Sequence, residues 1–172
     1  MGNFQDAGVA IMFPESQARA PISQGRMANS NGSHLEDNVA ILLAECGYAR
    51  ARHHPENRRD PYYIPQERTM FSSIYDTPLR VDFYVWHPQK YPSGMIIECK
   101  HQAAKGSVDE KFPYTVLSLS STLVPFILII DGGGAKASAV NWCSNQARQS
   151  GKFRVYSSYT AFAKAVRKEG LL

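Results

Sequence analysis

Residues 79–102 read LRVDFYVWHPQKYPSGMIIECKHQ, and this stretch decides the fold. Val81, Phe83 and Val85 alternate with Arg80, Asp82 and Tyr84, which is the period of a strand, predicted over Leu79 to Trp86. His87 to Gly94 contains two prolines and a glycine and is expected to turn. Met95 to His101 is the next predicted strand. A turn this short favours an antiparallel pair. Side chains alternate across a strand, so Glu98, Lys100 and Gln102 are expected on one face, with Ile97, Cys99 and His101 on the other. Asp82 is expected to share a face with Arg80 and Tyr84 and to lie beside Glu98.

Two neighbouring carboxylates repel unless a cation sits between them. Hard oxygen ligands with open positions suit Mg²⁺ or Mn²⁺, so Asp82 and Glu98 are candidate metal ligands, and the Cys99 backbone carbonyl is a further one. Lys100 points to the same place, where an ammonium group orients water and offsets charge on a phosphate in its transition state. A Glu-x-Lys triplet alone is a weak signal. Its position directly after Met95-Ile-Ile97, one hairpin beyond Val81-Asp-Phe83, is what gives it weight.

Outward from this pair, a helix is predicted from Ser33, because Ser33-His-Leu-Glu36 has capping-box spacing and Leu35, Val39, Leu42 and Cys46 follow at helical intervals. Gly47 stops it. Residues 49 to 66 read as a polar connection, and Arg68 to Ile74 as a weakly marked first strand. On the other side, a helix is expected over Val108 to Ser121, adjusted near its start for Pro113. Leu123 to Ile130 is a continuous apolar run, the signature of a strand buried on both faces. Asp131-Gly-Gly-Gly134 ends it and lacks the Gly-Lys-Ser/Thr of a phosphate loop. A helix (Ala137–Gln149), a strand (Phe153–Ser157) and a helix (Tyr159–Lys168) complete the order. The fold class is therefore α/β, a mixed sheet flanked by helices.

The chain has 172 residues, enough for one core, and residues 1–30 read as a flexible extension ahead of a 31–172 domain. The net charge of +4 permits a polyanionic partner without demonstrating one. Three scattered cysteines, Cys46, Cys99 and Cys143, argue against a disulfide framework and for a reducing, cytoplasmic setting. No apolar run is long enough for a membrane span, and the N-terminus lacks the pattern of a signal peptide. Arg50, Arg52, Arg58 and Arg59, with His53 and His54, form the main basic cluster, readable either as a phosphate-holding loop or as a solvated one.

Val81-Asp82-Phe83 and Ile97-Glu98-Cys-Lys100 together resemble the two half-motifs of the PD-(D/E)xK phosphodiesterase superfamily, which includes restriction endonucleases, junction resolvases and repair nucleases. The usual proline before the aspartate is replaced by Val81. The resemblance spans roughly residues 33 to 130. It implies a restriction endonuclease-like αβββαβ core, here followed by αβα, and a catalytic set of Asp82, Glu98 and Lys100. Gln102 matches the glutamine often found two residues after the lysine. An acidic residue on the first helix often completes the metal site, a role open to Glu36 alongside its capping role. The second helix often faces the site, so Lys111 and Tyr114, with Lys105 just before it, become candidate phosphate contacts; Asp109 and Glu110 are equally readable as first-turn acids. The implied activity is Mg²⁺- or Mn²⁺-dependent hydrolysis of DNA by an endonuclease, with a homodimer required for two-strand cleavage. The alternatives are a non-catalytic nucleic-acid-binding module and a subunit of a larger phage or restriction assembly.

Overall fold

The computed structural model describes residues 24–104 and 107–172, and side chains over 33–104 and 109–172. The elements are α1 (Gln24–Glu45), β1 (Ala49–Arg50), β2 (Tyr62–Glu67), β3 (Val81–His87), β4 (Tyr91–His101), α2 (Lys111–Ser120, preceded by a 3₁₀ turn), β5 (Phe126–Asp131), α3 (Ala137–Ser150), β6 (Phe153–Tyr156) and α4 (Tyr159–Glu169). The described strands form one sheet in the order β1-β2-β3-β4-β5-β6. β2, β3 and β4 meander antiparallel; β1 joins β2, and β5 and β6 extend β4, all parallel.

Alternation along the central strands builds two cores. Met95 and Ile97 of β4 and Ile127 and Ile129 of β5 face Leu35, Val39, Leu42 and Leu43 of α1 and Phe162 and Val166 of α4. Ile96 of β4 and Phe126, Leu128 and Ile130 of β5 face Phe112, Val116 and Leu119 of α2 and Cys143 of α3. Every one of these side chains is buried. This is why β5 reads as an unbroken apolar run: it is covered on both sides. α2 and α3 make the crossovers β4-to-β5 and β5-to-β6 on the same face, as crossovers of one hand must when the chain steps steadily across a sheet.

The order expected from sequence holds, with four corrections. The first long strand is Tyr62–Glu67, inside the stretch read as a polar connection, and Arg68–Ile74 is loop apart from a Ser72–Pro78 bridge. Pro65 hides this strand from a propensity reading, because proline seldom stands inside a ladder. β1, a two-residue edge strand, was not expected. α1 starts at Gln24, within the residues assigned to an extension, so Ser33 and Glu36 sit inside the helix and form no capping box at its start. Finally, β4 begins at Tyr91. Pro92-Ser-Gly94 belongs to the strand, where the β3–β4 register shifts between Val85 and His87. Residues 1–23, Lys105 and Gly106 lie outside the described residues.

Gly94 has φ +88°, and a Cβ built there would lie 2.3 Å from the Tyr84 hydroxyl oxygen and 2.4 Å from its ring. Tyr84 is fully buried and has nowhere to retreat. Gly94→Ala is expected to cost about 2–4 kcal/mol, combining left-handed strain with overpacking. A urea midpoint indistinguishable from the native protein would contradict this packing.

Candidate active site

The ladder between β3 and β4 ends at the pair Phe83–Ile97, and beyond it side chains take over the hydrogen bonds. The Asp82 carboxylate accepts from the Cys99 backbone N–H at 2.8 Å, and Glu98 accepts from the Asp82 backbone N–H at 3.3 Å. Each acid thus grips the other's strand, and both are more than nine-tenths buried. The Lys100 ammonium is ion-paired to the second oxygen of Glu98.

Asp82 does not share a face with Tyr84 as strict alternation would have it. Val81 packs in the same core as Tyr84 and Trp86, while Phe83 and Val85 pack in the other. The period slips at Asp82. Opposite it, Gln66 of β2 has φ 55°, a left-handed conformation uncommon for a residue with a side chain. The slip turns Asp82 toward α1, where Gln66 donates to Glu36 at 2.9 Å and sits 3.4 Å from the other Asp82 oxygen. Glu36, Gln66, Asp82, Glu98 and Lys100 are thereby linked, drawn from α1, β2, β3 and β4.

The electrostatics are those of excess negative charge under partial burial. Burial pushes the Glu98 carboxyl above the ordinary glutamate value; Lys100 pulls it down, Asp82 pushes it up, and the net direction is up. Glu36 is likewise raised, first by burial and then by Asp82, with Arg80 and Lys100 opposing. Burial disfavours the Lys100 ammonium, but Glu98 and Asp82 together outweigh it and hold its pKa above the usual lysine range. Three carboxylates therefore face one partly buried ammonium.

Their donor chemistry, hard carboxylate oxygens with the Cys99 strand alongside, fits a small divalent cation. As arranged, the site is not a finished cage. Among the described residues no group of three or more His, Cys, Asp or Glu is set to hold a metal. The Gln66 amide lies between Glu36 and Asp82, and both Glu98 oxygens are already engaged.

The remaining predicted residues distribute as follows. Gln102 is buried, but its amide donates to the Ala104 and Gly134 carbonyls, pinning the glycine turn after β5 to the end of β4. Its Oε1 is buried and has no hydrogen-bond partner among the described residues. Lys111 and Tyr114 of α2 do share a cleft of about 230 Å³ with Glu98, Lys100 and Arg80. Arg50 and Arg52 line a different hollow at the β1 edge, with Ala51 and Pro65. Arg58 and Arg59 are exposed in the β1–β2 connection, where Arg58 lies beside the Tyr84 hydroxyl. Sequence reasoning missed Gln66, whose neighbours Pro65 and Glu67 gave no catalytic spacing, and left Arg80 without a role.

A mixed sheet with helices on both faces, bearing acids and a lysine where its central antiparallel pair parts, defines a restriction endonuclease-like α/β domain. The chain belongs to the PD-(D/E)XK nuclease superfamily, whose domain model matches residues 27–167. Membership implies a phosphodiesterase of nuclease type, in a family that generally works with divalent metals. No curated protein and no solved structure matches the chain. No helix among the described residues is long and apolar enough to cross a membrane.

Proposed function

We propose that the chain is a divalent-metal-dependent DNA endonuclease, with Asp82 and Glu98 as metal ligands and Lys100 as the catalytic cation. The observation that carries this reading is the burial of two carboxylates, Glu98 bonded to the Asp82 N–H and Asp82 to the Cys99 N–H, with an ammonium paired to Glu98. A bound Mg²⁺ or Mn²⁺ would activate water and polarise the phosphate. Asp82, Glu98 and the Cys99 carbonyl would hold it, with Glu36 completing the set. Lys100, kept protonated by its acidic neighbours, serves as a cation that orients the attacking water and offsets charge on the phosphate, rather than as the base. Lys111 and Arg80 border the same cleft and supply backbone contacts, while Arg50, Arg52, Arg58 and Arg59 reach phosphates further along. Gln102 acts by fixing the end of β4.

Gln66 is a positioning residue in this scheme. It holds Glu36 and Asp82 at a set separation, at the cost of a left-handed backbone. Gln66→Ala is expected to lower the apparent metal affinity about 10–100-fold, the usual range for groups that orient ligands. Titrating Mg²⁺ against cleavage rate measures it, and an unchanged half-saturation point would remove Gln66 from the site.

The substrate assignment is tested by incubating the protein with circular duplex, branched and single-stranded DNA and with RNA, in Mg²⁺, Mn²⁺ or chelator. Metal-dependent nicking of a closed circle is expected, since only an internal cut can open one. Digestion confined to free ends, or to RNA, would overturn it. Cleavage of both strands at one place requires two sites, hence a two-fold dimer. Sedimentation that finds only monomer while both strands are cut together would refute the dimer.

A further inference from the structure

Tyr75 is 70% exposed and Tyr114 is 38% exposed, yet their rings stack at 5.6 Å between centroids with 22° between planes. Tyr75 stands on the β2–β3 connection and Tyr114 on α2, so two separate elements build the pair. The turn under Tyr75 is firmly made. Buried Ser73 donates its N–H to the Thr77 carbonyl at 2.8 Å and accepts at its own carbonyl from Asp76 at 3.0 Å. Its hydroxyl pairs with that of Thr77 at 2.8 Å and accepts the Tyr75 N–H at 3.2 Å. Asp76 takes φ 55° to close the turn, and the bridge Ser72–Pro78 ties its base.

Aromatic rings held this far out of the core contribute little to it, and rigid display of one is useful chiefly to a ligand. Two observations say which ligand. Met70 and Ile74, 43% and 40% exposed, precede Tyr75 on the same connection and line a hollow with Leu123. Tyr114 also lines the cleft that contains Glu98 and Lys100, together with Arg80 and Lys111. An apolar ring face next to three cations fits a nucleotide, whose base stacks while its phosphate pairs. A partner protein would be met by the apolar patch alone and would have no use for the cations of the cleft.

We propose that the stacked Tyr75–Tyr114 pair is a platform for an unpaired nucleobase, seated next to the scissile phosphate. The inference rests on the nuclease reading above and deepens it by naming a substrate class. A base in an intact duplex offers no free face, so the preferred DNA has an unpaired base at the cut: a single strand, a flap, a branch or a frayed end.

The test is binding without cleavage. Affinity for a 2-aminopurine-labelled single strand and for a hairpin duplex closed at both ends by non-nucleotide linkers is measured in chelator with native protein, Tyr75→Ala and Tyr75→Phe. Tyr75→Ala is expected to bind the single strand about tenfold more weakly and to quench the fluorescent base less. Tyr75→Phe keeps both properties, and hairpin binding stays unchanged in all three. Native single-strand binding by Tyr75→Ala, equal loss on both DNAs, or a change confined to self-association in sedimentation would each overturn the platform. Because no bond is broken in the assay, the platform can stand in a protein that fails to cleave. A protein that cleaves yet ignores Tyr75→Ala would sink the platform and leave the nuclease intact.

Discussion

Glu98→Gln is expected to lower cleavage by about 10²–10³-fold or more while raising the melting temperature on the order of a few °C. Both effects follow from one arrangement. Glu98 is buried against Asp82, and its pKa lies above the ordinary value of 4.5 even with Lys100 paired to it. Ionised, it is in a place less hospitable than water. The amide keeps the shape and can still accept the Asp82 N–H, but removes the repulsion. The same amide carries no charge for a divalent ion or for Lys100. Residues selected for stability lose stability on such a change, whereas strained functional groups gain it. A variant with normal cleavage would take Glu98 out of the chemistry, and one with a lowered melting temperature would show that the acid is structural.

The second large effect concerns metal and pH together. Glu36 and Glu98 both have folded-state values raised above 4.5. Groups raised in this way contribute stability that is full below about pH 4.5 and is lost as pH climbs through their folded values. Without metal, the protein should therefore lose stability as pH rises above about 4.5. A divalent ion binds the deprotonated acids and reverses that trend. At a hundred times its Kd it adds about 2.7 kcal/mol, roughly 5–10 °C for a domain of this size. Calorimetric scans with Mn²⁺ and with chelator, from about pH 5 to about pH 8, are expected to diverge steadily as pH rises. Curves that run parallel across that range would mean that the acids do not take up the ion.

The hairpin and its two half-motifs were legible because β3 and β4 obey a strict period of two over most of their length. β5 was legible because an unbroken run of Phe126, Ile127, Leu128, Ile129 and Ile130 leaves few alternatives. What could not be read arises where tertiary contacts override the local pattern. The slip at Asp82 accompanies a left-handed Gln66 on the neighbouring strand, which leaves no mark in composition. Ser33 and Glu36 imitate a helix start because a capping box is a spacing, and the same spacing occurs inside α1. Glu36 reaches Gln66 beside Asp82 because Leu35, Val39 and Leu42 fix which side of α1 meets the sheet. Tyr75 was invisible for a simpler reason: a loop aromatic acquires meaning only when a distant ring is seen to stack on it.

The most direct measurement is a count of bound Mn²⁺ by electron paramagnetic resonance on native protein and on Asp82→Ala and Glu98→Ala, each checked for a native circular dichroism spectrum. Tight uptake by the native chain that disappears in both variants is the predicted result. Equal uptake by all three proteins, or none by the native one, would contradict a shared ion between Asp82 and Glu98.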